Sequence, residues 1–124
     1  DNRRDFPGGF PGDARDAFQA AGRTADEQAT FAHVQRLLAL RAARPDLRRG
    51  RTVHLQVGDQ TYVYARGRSV VALNNDTAAA TVRVPAAAFP AEALRADALG
   101  ACAAPRREGA DVVLAVPARA GCVF

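Results

Sequence analysis

The sequence predicts an α+β chain, with one amphipathic helix leading into an antiparallel β-sandwich. Three observations carry that reading. A capping box, Thr24-Ala25-Asp26-Glu27, opens an apolar stripe of helical spacing; the hydrophobic period drops to two after Arg51; and short Gly, Asn and Asp clusters punctuate the period-two segments.

Residues 1–23 hold Pro7, Gly8, Gly9, Pro11, Gly12 and Gly22 and show no sustained period, so they read as a long loop. Structureless connections longer than about 12–15 residues are uncommon in compact domains and are usually functional or disordered. Phe6, Phe10 and Phe18 argue against simple disorder, because a solvated linker rarely keeps bulky rings.

A helix is predicted from Ala25, with Thr24 and Glu27 exchanging hydrogen bonds across its first turn. Phe31, Val34, Leu37 and Leu38 follow the three-and-four spacing of a single face, and the run ends near Ala43-Arg44, before Pro45. Arg41 falls on that stripe, either snorkelling past it or forming a partly buried ion pair. His33 lies off the stripe and reads as solvated.

Val53, Leu55 and Val57 then alternate with Thr52, His54 and Gln56, which puts His54 on the outward phase as a solvated side chain. Gly58-Asp59-Gln60 offers a turn into Thr61–Ala65. Further strands are predicted at 69–74, 81–84, 112–116 and 121–124, separated by turns at Asn74-Asn75-Asp76 and Arg107-Glu108-Gly109. One helix with a 23-residue lead-in cannot bury its own face. The pattern therefore predicts a severed domain end followed by a small, complete β domain.

Composition narrows the chemistry. All 17 basic residues are Arg, so a phosphate loop and Schiff-base catalysis both lack their lysine. Ser69, the lone serine, sits between Arg68 and Val70 without the glycines of a nucleophile elbow. The arginines are scattered and interleaved with acids, which argues against a nucleic-acid partner despite the formal charge of +4. No apolar run reaches the ~18–20 residues of a membrane span, so no membrane partner is expected.

Cys102 and Cys122, with His33 and His54, lack zinc spacing, so no metal site is expected. The cysteines are either two small buried hydrophobes or a disulfide that requires an oxidising compartment. No cleavable signal segment is visible, and the chain opens on Asp rather than Met, which favours a piece of something longer.

Asp1-Asn2-Arg3-Arg4-Asp5-Phe6-Pro7-Gly8-Gly9-Phe10, Gly22-Arg23-Thr24, Phe31 through Leu40-Arg41, Pro45-Asp46-Leu47-Arg48 and Thr61-Tyr62-Val63-Tyr64 together resemble the α-amylase superfamily of glycoside hydrolases, family 13. Within it they look most like cyclomaltodextrinases and neopullulanase-like enzymes. The resemblance is specific over the first 66 residues and generic beyond. It implies that residues 1–44 are the end of a (β/α)8 catalytic barrel, the loop after strand 8 and helix 8, and that residues 45–124 are the antiparallel domain C.

The implied activity is retaining hydrolysis of α-1,4-glucosidic bonds in cyclodextrins, maltodextrins or starch, with the missing N-terminal barrel as a partner. The catalytic carboxylates would lie upstream, so no residue here is expected to be catalytic, and Asp1 with Asp5, or Asp13 with Asp16, read as turn residues rather than a carboxylate pair. The resemblance makes Arg3 a substrate-binding residue within the Asp1-Asn2-Arg3 segment, although Arg3 equally fits a role in pinning the loop. It implies no cofactor in this segment, leaves calcium open for the full-length enzyme, and favours a periplasmic or secreted bacterial setting.

The competing reading is a stand-alone carbohydrate-binding or interaction module. Such modules stack sugars on exposed aromatics. With no Trp, the chain offers only Tyr62 and Tyr64 on one strand face, either as a platform or as ordinary cross-strand packing.

Overall fold

A computed structural model describes residues 5–124. A 3-10 turn at Ala20–Gly22 precedes helix α1, Ala25–Ala43, and a short α2, Pro45–Arg49. Seven strands follow: β1 Thr52–Val57, β2 Thr61–Arg66, β3 Ser69–Asn74, β4 Ala80–Pro85, β5 Arg106–Glu108, β6 Asp111–Val116 and β7 Ala120–Val123. The chain divides into two compact units, one ending at Ala39 and one comprising Leu40–Phe124.

In the first unit α1 begins at its capping box. Glu27 N donates to Thr24 Oγ1 at 3.3 Å, and Thr24 N donates to Glu27 Oε2 at 2.8 Å, so two of the otherwise orphaned amides at the helix start are satisfied. The lead-in is folded without regular structure. Ala17 N donates to Pro7 O at 2.8 Å, Asp13 Oδ2 accepts from Gly8 N and Phe10 N at 3.1 Å each, and Asp16 Oδ1 accepts from Phe18 N at 2.9 Å.

Asp13 and Asp16 are thus turn acceptors, as their spacing predicts. Two glycines are dictated by backbone proximity. A Cβ at Gly22 would lie 1.9 Å from Asp16 O, and Gly8 combines φ of +114° with a would-be Cβ 2.8 Å from Asp16 Cα.

In the second unit two antiparallel sheets face each other. One has the order β1-β2-β3-β7 and the other β4-β6-β5. Inward residues alternate along each strand: Val63, Ala65, Val70, Ala72 and Cys122 from the first sheet meet Val82, Val84, Val112, Leu114 and Val116 from the second. Phe89, Ala93 and Phe124 complete a core whose largest members are fully buried.

Three local readings of the sequence are corrected. The alternation predicted for β1 is broken by a bulge between His54 and Gln56, because Gln56 pairs with Val63 and Val57 with Tyr62. An extra residue reverses the side-chain phase beyond it, which leaves Val57 73% exposed while Leu55 still packs on the core.

The second correction is Arg107-Glu108, read as part of a turn. Both lie in β5, and Gly109 at φ +61° begins the turn into β6. The third is Arg41, which is exposed and takes neither expected role, since its Nη1 donates to the Leu47 carbonyl. The first helix ends at Ala43, as read, and Pro45 opens α2, where its missing N–H costs nothing.

Candidate functional site

Asp1, Asn2 and Arg3, the expected substrate-binding segment, lie outside the described residues. The described part of the lead-in is organised by two arginines. Arg23 donates to Ala17 O at 2.8 Å, Phe18 O at 2.9 Å and Gln28 Oε1 at 3.1 Å, and its guanidinium lies 3.6 Å over the Phe31 ring. Arg15 grips Glu27 with both terminal nitrogens, at 2.6 and 2.7 Å, and donates to Gly22 O at 2.9 Å.

Phe6 packs against Phe18 at 4.8 Å, so these two loop rings find each other while Phe10 stays 70% exposed. Together these residues line an open cleft of about 730 Å³, walled by Phe6, Ala17, Phe18, Phe31 and Val34 and rimmed by Arg23. Its chemistry is apolar. Arg23 directs three N–H groups to protein acceptors and Glu27 is held by Arg15, which leaves Asp26 and Thr30, among the described residues, as the free polar side chains of a mainly apolar wall that suits hydrophobic packing.

The Arg15 hydrogen bonds, with the Thr24 amide, lower the Glu27 pKa from 4.5 to about 2. A depressed carboxylate stabilises the fold above its unfolded pKa and loses that contribution as pH falls through its folded value. The first unit should therefore weaken between about pH 4.5 and 2. Glu27→Gln is expected to flatten that acid limb in circular dichroism of the helix, and because the pair is exposed the effect should shrink in high salt.

On the outer face of the first sheet, His54 Nδ1 lies 2.6 Å from Tyr62 Oη, the His54 and Tyr62 rings are 5.7 Å apart, and Tyr62 stacks on Tyr64 at 5.0 Å. Tyr62 is flanked by both neighbours. Tyr62 and Tyr64 stack along one strand and His54 of β1 tilts against Tyr62, which favours packing among the rings over a flat sugar platform.

The second unit holds two polar anchors that the sequence did not reveal. Asp97 accepts four backbone amides: Leu99 N at 3.0 Å and Val123 N at 2.8 Å on Oδ1, Ala101 N at 2.8 Å and Cys102 N at 3.1 Å on Oδ2. Beside it Cys102 and Cys122 form a disulfide with Cα atoms 5.9 Å apart. Closing a loop of 20 residues in this way stabilises by roughly 3 kcal/mol in the chain-entropy view. Asp97, Cys102 and Cys122 lie close enough to suggest a metal site, but the sulfurs are bonded to each other and the carboxylate is filled by N–H groups.

The other anchor is Asn74, 3% exposed, whose Nδ2 donates to Ala78 O, Val116 O and Pro117 O at 2.8, 3.3 and 3.1 Å. It links β3 of one sheet to the end of β6 in the other. Among the described residues no helix is long and apolar enough to cross a membrane.

No protein-family model matches the chain. Among solved structures it is similar to the native form of a debranching enzyme from Nostoc punctiforme, at 26% identity and a TM-score of 0.67, over 85% of this chain and 24% of that one. A second crystal structure of that enzyme gives 26% and 0.69 over the same shares. An acarbose-soaked form gives 24% and 0.62, over 82% of this chain and 20% of the other, and bears on the fold alone. The chain thus spans about a quarter of the length of the enzyme it matches. This likeness supports a place among the glycoside hydrolases of family 13, and the paired antiparallel sheets are compatible with the domain C of an α-amylase-like enzyme.

Proposed function

We propose that this chain is the C-terminal part of a retaining α-glucan hydrolase of the cyclomaltodextrinase and neopullulanase type. Residues 1–44 are the last loop and helix of its barrel, and residues 45–124 are domain C. The observation that carries this reading is the apolar stripe of α1. Phe31, Val34, Leu37 and Leu38 are 45%, 45%, 37% and 62% exposed, and no helix residue is buried, whereas the sandwich has a filled core of its own.

Fully burying a large apolar side chain contributes roughly 1.5–3 kcal/mol, and the part of each of the four that is still exposed makes the stripe a drive to lean on another surface. A barrel sheet is such a surface. In a barrel enzyme the loop before the last helix lies at the catalytic mouth, which gives the Asp1-Asn2-Arg3 segment a position from which Arg3 can bind a sugar.

In this proposal the reaction uses two carboxylates from the barrel. One attacks the anomeric carbon and the other protonates the leaving oxygen, with the pair ~5–5.5 Å apart as retention requires. This chain contributes binding through Arg3 and support through the helix. The name of the similar Nostoc enzyme adds branched glucans to the substrates worth assaying.

The test uses the protein with its barrel. Arg3→Ala is expected to raise KM for β-cyclodextrin or pullulan about tenfold with a smaller fall in kcat, the mark of an interaction made equally in ground and transition states. Unchanged KM with lowered thermal stability would instead assign Arg3 to pinning the loop. Release of glucose or maltose by the 124-residue chain alone would refute the upstream position of the carboxylates. The disulfide supports a periplasmic or secreted setting, because such bonds persist in oxidising compartments.

A further inference from the structure

We propose that the second compact unit carries a binding cleft for a phosphoryl group, built by Arg44, Arg68 and Arg95, and that it takes inorganic phosphate or a phosphate monoester. The cleft has a volume of about 250 Å³ and is lined by these three arginines with Asp46 and Glu92. Ser69 is not among the residues that line the cleft and is fully buried beside it. Its Oγ is reached by Arg44 Nη1 and by Arg95 Nη2, each at 3.5 Å, and Arg44 Nη1 also donates to Phe124 O at 3.2 Å.

These contacts are long and few for guanidinium groups with five donors each. No close ion pair among the described residues involves Arg44, Arg68 or Arg95, although Arg68 and Arg44 attract the Asp46 carboxylate at longer range.

Three arginines face two carboxylates, Asp46 and Glu92, which leaves an excess of one positive charge in the cleft. Burial, then repulsion from Arg95, lowers the proton affinity of Arg44, against partial attraction from Asp46 and Asp97. Three groups that stay charged at any working pH converge on a space large enough for one tetrahedral oxoanion and a few waters. Guanidinium forks match such an anion in two parallel hydrogen bonds. A glucan chain would instead require a longer groove with apolar faces. The cleft lies wholly in the second unit and does not depend on the hydrolase reading.

The experiment titrates the full 124-residue chain, labelled with 15N, with sodium phosphate, glucose 6-phosphate and sodium acetate at matched ionic strength. Saturable shifts of the Asp46, Ser69 and Glu92 amides are expected with phosphate, with the ester, or with both. Saturation by both means that the phosphoryl group suffices, and saturation by the ester alone identifies a monoester as the source. Arg95→Gln and Arg68→Gln, at exposed positions that the fold tolerates, should each weaken binding about five- to tenfold, and Glu92→Gln should tighten it. Non-saturating shifts, affinities unchanged in both arginine variants, or equal saturation by acetate would each overturn the proposal, the last by identifying the cleft as a receptor for a protein carboxylate.

Discussion

Replacing Asp97 with alanine is expected to destabilise the second unit by about 3–4 kcal/mol, from charge-assisted bonds worth about 1.5–3 kcal/mol each that do not add fully. Four backbone amides converge on this carboxylate, and one of them, that of Val123, belongs to a strand 26 residues away that reaches Asp97 only on folding. Asp97→Asn keeps one carbonyl oxygen but turns an NH2 group toward two N–H donors, so it should recover about half of the loss. Urea unfolding with the disulfide intact measures both variants. A midpoint for Asp97→Ala equal to the parent's would show that these amides are served equally well by water.

Asn74→Asp is expected to cost about 3–5 kcal/mol at neutral pH, because it exchanges an amide for an isosteric carboxylate facing three carbonyl oxygens. One carboxylate oxygen would keep the Asp76 N–H, but the other would face three carbonyl oxygens with no donor between them. The introduced acid should titrate upward, so its deficit relative to the parent is full above the raised folded pKa and shrinks as the medium is acidified and the neutral acid donates to one carbonyl. Thermal unfolding of both proteins at matched pH values reads this directly, and a deficit independent of pH would assign the damage to shape rather than charge.

The contrast between these residues and the helix shows what a sequence discloses. Thr24 and Glu27 are three positions apart and define the start of α1 through a local exchange that spacing reveals. Period-two patterning likewise located six of the seven strands, because inward and outward faces differ in polarity along the chain itself.

Asp97 bonds Val123 across 26 residues, and Asn74 reaches Val116 across 42, so nothing near either one in sequence signals its partners. Asn74 sits in an Asn-Asn-Asp cluster that reads as a turn; its side chain accepts locally from Asp76 N, and its inter-sheet role is invisible until β6 arrives. The bulge in β1 is missed for a related reason, since Gln56 and Val57 carry no mark of a reversed phase and only pairing with β2 imposes it. The cleft arginines are spread over positions 44, 68 and 95 and emerge as a group only in three dimensions.

The brevity of β5 bears on how the molecule behaves in crowded solution. Its three residues, Arg106-Arg107-Glu108, form the outer rim of the smaller sheet, and Glu108 holds Arg83 and Arg106 at 3.0 and 3.2 Å. A second copy approaching that rim would meet fixed charges along a ladder too short to reward docking, so fibrils should not nucleate there. Precipitation during expression should start instead from the oily flank of α1, and a soluble preparation is best sought by giving that flank a lid.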